Sequence, residues 1–228
     1  MNTLHARILA AGLVLSPVLI TLEELARLTV DNAYVEDEND NVADTANHLQ
    51  AVADRLGLWH LAGLLDLAFI VTWCLALLAI TLVIARSRPV LAAVAGLLGV
   101  ASVIGFAMHL AFYYAPLGAL AQEPDRDLAA RAGAIMGDDL VLVVGLVLFL
   151  LGTLAALLAA GIGLWRAHAL PWWGALGLLA WLAYVALGSE ARASALLNLG
   201  LLLPFVAVAR QLRTTDRQPA RRSAGASV

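Results

Sequence analysis

Lysine is missing from this chain: all 14 basic residues among its 228 are arginine. That excludes a lysine Schiff base, and with it a retinal-type chromophore, and it excludes a lysine nucleophile. Cysteine is nearly missing as well. Cys74 stands alone, so an intramolecular disulfide and every CxxC redox or zinc motif are ruled out. Charged residues make up only 14%, against about 25% in a soluble domain. No P-loop, Rossmann fingerprint, haem-attachment motif or paired nucleophile and base occurs, so no cofactor is expected. With a net charge of −3, nucleic acid is not an expected partner either.

What is present is oil. Hydrophobic residues reach 62% and the mean hydropathy is +0.86, concentrated in long uncharged blocks that read as membrane spans. Six such blocks cover residues 8–22, 56–85, 90–115, 140–164, 172–187 and 193–209. A span needs about 20 residues to cross ~30 Å of hydrocarbon. The second, third and fourth blocks suffice unaided. The first reaches full length only if its helix continues through Glu23 and Glu24 toward Leu28. The last two are short, which predicts little tilt or a locally thinned bilayer. Arg86-Ser87-Arg88-Pro89 separates two spans, Pro116 and Gly118 close the third, and Trp172 and Trp173 suit an interfacial aromatic belt.

Arginine placement sets the orientation. With both termini inside, the inner segments hold Arg7, Arg86, Arg88, Arg166 and the arginines from Arg210 onward. Fifteen of the 17 acids then lie in outer segments, the exceptions being Asp66 and Asp216. The expectation is an all-α, polytopic bundle of six transmembrane helices with cytoplasmic termini. It spans residues 1–213, with an acidic outer loop at 29–55, a second outer loop at 116–138 and a disordered tail at 214–228. The lipid bilayer is its first partner, and the location expected is a bacterial plasma (inner) membrane. The apolar run after Arg7 lacks a small-x-small cleavage site before Glu23, so it reads as a retained helix, not a leader. Helical spacing predicts short surface helices at 43–56 and 124–136. The acidic stretch from Asp37 to His48 mimics the start of a calcium loop, but Val42 and His48 replace its glycine and bidentate glutamate.

Polar residues inside the blocks are the functional signal, because ionisable groups are costly in hydrocarbon. In span 2, Trp59, Gly63, Asp66, Ile70, Trp73 and Leu77 share one face. In span 3, Gly96, Gly99, Ser102, Gly105 and His109 do. Spans 4 and 5 carry Asp138, Gly145, Gly152, Ala159 and Gly174, Gly177, Trp181, Tyr184, Gly188. Small stripes let membrane helices approach closely, so these faces should point inward. At helical rise, Asp66 lies about 12 Å below the outer end of its span and His109 about 9 Å below the end of the next. The two are expected to face each other in an outward-facing polar pocket, with His60, Glu24, Asp138 and Asp139 at its mouth. Such a pair serves a structural clasp or partner-binding component, or a transporter of protons or a small solute. The alternative is a membrane-embedded enzyme or metal site built from His60, His109, Asp66 and Asp138.

The run "HLQAVADRLGLWHLAGLLDLAFIVTWCLALLAITLVIARSRPVLAAVAGLLGVASVIG" resembles the second and third spans of six-helix actinobacterial membrane proteins of unknown function. The run "GLWRAHALPWWGALGLL" is similar to the arginine-bearing turn into their fifth span. The resemblance covers most of the chain and implies the same six-helix layout. It implies no catalytic residues, and the acidity of the first loop departs from it.

Overall fold

The computed structural model describes residues 3–33, 40–137, 139–187 and 192–216. Those residues contain helices and no strands. The helices are α1 (Thr3–Asp31), α2 (Asn41–Asp54), α3 (Leu56–Ala85), α4 (Pro89–Leu120), α5 (Arg126–Gly137), α6 (Leu140–Arg166) and α7 (Trp172–Leu187). The last, α8, joins Arg192–Ala195, a 3-10 stretch Leu196–Leu201 and Leu202–Asp216. Five segments are long and apolar enough to cross a membrane: α1, α3, α4, α6 and Ala193–Leu212 of α8. The apolar part of α7, Trp172–Val185, is shorter.

Block boundaries match the hydropathy reading within two residues for α3, α6 and α7, whereas α4 and α8 run on several residues further and α1 continues through Glu23 and Glu24 to Asp31. The expected surface helices are α2 and α5. Asp40 opens α2 by accepting from the amides of Val42 (2.9 Å) and Ala43 (3.1 Å), so part of the calcium-like stretch serves as a helix cap. Residues 37–39 of that stretch lie outside the described residues, as do Asp138 and the tail from residue 217. The tail's first residues, up to Asp216, continue α8.

Pro116 does not close the third span. The helix passes through it to Leu120, with a π turn at Leu110–Tyr114 just before. Proline has no N–H to donate and its ring collides with the carbonyl four residues earlier. A wider turn there relieves the collision without ending the helix.

Packing follows the small residues. Along α4, Gly105 touches the backbone of Phe149 on α6, and Gly152 of α6 receives Ser102 in return. Gly99 instead faces Leu77 of α3, so one stripe serves two neighbours. On the other side, Gly12 of α1 admits Leu75 of α3, and Gly177 of α7 meets the carbonyl of Gly200 on α8. The apolar core sits among α1, α3, α4, α6 and α8, from Leu13 and Trp73 down to Ile84, Leu164 and Leu212. A second, smaller cluster lies under α2 and α5, around Val30, Leu49, Val52, Trp59 and Tyr114.

The helix ends sort into two poles. At one, Arg86 donates to the Gln211 carbonyl, Arg88 to the Arg166 carbonyl, and Arg210 lies over the Trp173 ring. At the other, His48 of α2 meets Asp31 of α1. Of the two tryptophans expected in a belt, Trp172 stands exposed and Trp173 is half-buried against Arg210 at the arginine pole; Trp165 is exposed at the end of α6.

A β-carbon at Gly105 would lie 2.2 Å from the Phe149 amide nitrogen, whereas one at Gly57 would meet nothing within 4 Å. Gly105→Ala should therefore cost about 1–3 kcal/mol by overpacking. Gly57→Ala should be neutral or stabilise by up to ~1 kcal/mol. Thermal unfolding in detergent micelles checks both.

Candidate functional site

Five helices deliver polar side chains to one level of the bundle, toward the pole opposite Arg86, Arg88, Arg166 and Arg210. On α1, Glu23, Glu24, Arg27 and Asp31 recur at steps of three and four, which puts them on one face. Arg27 Nη2 donates to Glu24 Oε2 at 2.8 Å, Nη1 donates to Asp31 Oδ2, and Nε lies 3.8 Å from Glu23 Oε1. Both glutamates are buried, Glu23 at 3% and Glu24 at 7% exposure. Neighbouring helices complete them. The Tyr114 hydroxyl of α4 donates to Glu23 Oε1, and the Tyr184 hydroxyl of α7 donates to Glu24 Oε1 at 2.7 Å. Asp31 also meets His48 Nε2 at 3.1 Å. Each bond therefore ties α1 to a different element.

Asp66 lies in the same layer on α3. Its side chain faces His109 of α4, with Oδ2 and Nδ1 3.8 Å apart. That is ion-pair range and beyond a hydrogen bond. Asp66 is 1% exposed, and its Oδ2 has no hydrogen-bond partner. The imidazole is held rather than loose: it stacks on Tyr113 at 4.9 Å and on Phe149 at 5.2 Å, with Tyr114 edge-on. The π turn bears on this directly, because it brings Tyr113 and Tyr114 in beside the histidine. The carbonyl of Tyr114 accepts from Trp59 Nε1 at 3.0 Å, which locks α3 to the turn.

One further polar contact lies deeper. Trp73 Nε1 donates to Ser102 Oγ (3.1 Å), which pairs with Thr153 Oγ1 at 2.6 Å, linking α3, α4 and α6. Beyond it, toward the arginine pole, the core around Ile80, Val83, Ile84 and Leu164 is apolar.

No family model matches the chain, and no curated protein or solved structure does either.

The sequence expectations divide cleanly. The inward face of α3 is as read, with Trp59, Asp66 and Trp73 buried, and Asp66 does look toward His109. Glu24 belongs to the same layer, but inside the bundle and not at its mouth. It sits there because α1 continues two more turns, to Asp31. His60 is exposed, since Trp59 takes the inward position and one residue further turns the side chain by about 100°. Asp139 is exposed as well and caps α6, accepting from the Val141 amide at 2.7 Å. Asp138 lies outside the described residues. The pocket expected around Asp66 is closed over it. Among the described residues, no three His, Cys, Asp or Glu side chains gather to hold a metal ion.

Glu23, Arg27, Asp31, His48, Tyr113 and Tyr114 were not anticipated. A signal for the first three existed: charges at i, i+4 and i+8 running straight on from an apolar helix.

Replacing Arg27 by methionine should destabilise the fold by about 3–5 kcal/mol, because it strands buried carboxylates. Tyr114→Phe should cost about 1–3 kcal/mol, and Arg131→Gln on the exposed face of α5 less than ~0.5 kcal/mol. Urea or thermal unfolding in micelles reads all three; equal losses would mean the layer contributes no more than an ordinary surface.

Proposed function

We propose that this is a six-span, non-enzymatic integral membrane protein that binds and releases a proton in a closed polar layer around Asp66, His109, Glu23 and Glu24. Its setting is the bacterial plasma (inner) membrane, with both termini cytoplasmic. The likeness to six-helix actinobacterial membrane proteins agrees with that setting. Support for a sixth crossing comes from α7. It starts beside Arg210 at the arginine pole and reaches Glu24 through Tyr184, so it traverses most of the bundle. Its 16 residues span about 24 Å, short of ~30 Å of hydrocarbon, which a thinned bilayer accommodates. Arg86, Arg88, Arg166 and Arg210 at one pole support an inside assignment for that pole.

The observation that carries the proton reading is Asp66 Oδ2: sealed, without a hydrogen bond, and 3.8 Å from an imidazole nitrogen. A finished clasp would close that gap, since an unmet buried acceptor costs about 1–3 kcal/mol. A half-made pair is what a site needs if it is to hold a proton in one state and share it in another. The apolar core beyond Thr153 supports a binding site in the outer half over a continuous path. The structural-clasp reading keeps one observation of its own, the tyrosine bonds that tie α4 and α7 to α1. The metal or enzyme reading loses His60 to the surface.

Infrared difference spectra of the protein in liposomes, taken between acidic and neutral pH, test the choice. A protonated-carboxyl band should appear on acidification and be lost in Asp66→Asn. No titrating carboxyl band in the folded protein leaves the clasp as the function. The pairing itself is read by a double-mutant cycle of Asp66→Asn and His109→Phe, which should show a coupling of about 0.5–3 kcal/mol; strictly additive losses would refute it.

A further inference from the structure

The strongest unassigned feature lies at the arginine pole, away from the carboxylate layer. Between the start of α4 and the end of α6 there is a cavity of about 450 Å³ with Arg88 and Arg166 at its mouth and Val90, Leu91 and Ile162 in its wall. Arg88 Nε donates to the Arg166 carbonyl at 3.5 Å, which leaves both Nη groups without a partner among the described residues. Neither guanidinium meets a carboxylate among those residues. Two like charges thus share one cavity, an arrangement that lacks its anion.

The wall continues into a second cavity. A groove of about 190 Å³ runs between α6 and α7, lined by Leu157, Leu158, Gly161, Ile162, Leu178 and Trp181. Ile162 belongs to both. Gly161 keeps the groove open, since a β-carbon there would stand 2.9 Å from Leu178. From Arg166 to Leu157 the groove descends nine residues, about 14 Å at helical rise. That is close to the thickness of one leaflet, half of ~30 Å. Its lining carries no charge.

We propose that the cavity and groove together bind one anionic glycerophospholipid, its phosphodiester on Arg88 and Arg166 and one acyl chain between α6 and α7. Arginine suits the task because its planar fork meets two phosphate oxygens at once. The first turn of α4 adds to it: the helix begins with Pro89 and has no side-chain cap, so the amides of Val90 and Leu91 have no partner within the helix, and both residues line the same cavity. A zwitterionic lipid offers the same phosphate but brings its own cation, which the two arginines oppose. Free phosphate satisfies the mouth and leaves the groove unfilled. The inference rests on the membrane reading above, and a failure of that reading shows separately, as a protein that stays in solution without detergent.

Native mass spectrometry of the full chain released from detergent micelles tests it, with phosphatidylglycerol or phosphatidylcholine of the same chain length at equal concentration. The phosphatidylglycerol adduct should exceed the phosphatidylcholine adduct at least tenfold. The pair Arg88→Gln and Arg166→Gln should lower it at least tenfold. Arg86→Gln, whose side chain reaches the Gln211 carbonyl instead, removes a charge at the same pole and should change it less than twofold. Ile162→Trp, which blocks the junction of the two cavities, should lower the adduct with both arginines intact. Equal retention of the two lipids, an equal loss on Arg86→Gln, an adduct indifferent to Ile162→Trp, or displacement by inorganic phosphate at the lipid's own concentration would each overturn the assignment. Unchanged helicity by circular dichroism confirms that each variant is folded.

Discussion

Hydrocarbon does not solvate charge, and the upper turns of α1 carry three carboxylates and one guanidinium into the bundle. Arg27 resolves most of that conflict within its own helix, since Glu23, Glu24 and Asp31 lie one turn away on either side. It cannot resolve all of it. One guanidinium leaves carboxylate lone pairs over, and these are met by the hydroxyls of Tyr114 and Tyr184 and by His48. Hydrogen bonds to charged groups contribute about 1.5–3 kcal/mol each, well above an ordinary helix–helix contact in lipid. The donors come from α4, α7 and α2. The positions of three elements around α1 are therefore set by where its acids find donors, with the glycine contacts fixing how closely they approach.

The same demand explains the π turn. Tyr114 must reach Glu23 while His109, five residues earlier, faces Asp66, and five residues on a regular α-helix turn by about 500°, some 140° past a full circle. A π turn has more residues per turn and brings the two side chains closer to one face. Pro116 supplies the local reason for it, and Trp59 fixes it by donating to the Tyr114 carbonyl. A residue that reads as a stop signal is thus part of how the site is built.

Much of this was legible without coordinates. The apolar blocks delimit the helices to within a few residues for α3, α6 and α7. The seven-residue spacing of Trp59, Asp66 and Trp73 identifies the buried face of α3 because two tryptophans flank the acid. Gly99, Ser102 and Gly105 mark the contact face of α4. What stayed hidden has a common cause. Glu23, Arg27 and Asp31 look like the solvated end of a span, and only the covering of α1 by α2 and the extended α4 makes them interior. Tyr113 and Tyr114 were masked by the proline that follows. His60 and Asp139 were drawn in by residue type alone, although helical phase already turns His60 away from the Trp59–Asp66 face.

Helix length accounts for where the bundle opens. α6 has 27 residues and α7 has 16, about 40 Å against about 24 Å, and the two adjoin through the short turn at 167–171. They cannot both match one hydrocarbon thickness. The turn is tight enough to force His168 into the left-handed region at φ 54°, so the helices are pinned together at the arginine pole and cannot slide to compensate. Shape is then reconciled sideways: α7 follows α8, where Gly177 meets Gly200, and parts from α6. The cleft left between them is apolar, and at the arginine pole it adjoins the cavity that carries Arg88 and Arg166. The polar layer needs α7 only at Tyr184, which α8 positions by holding α7 against itself. The polar layer and the lateral groove therefore both border the same short helix, and a change in how deeply that helix sits in the bilayer reaches Glu24 through a single hydroxyl.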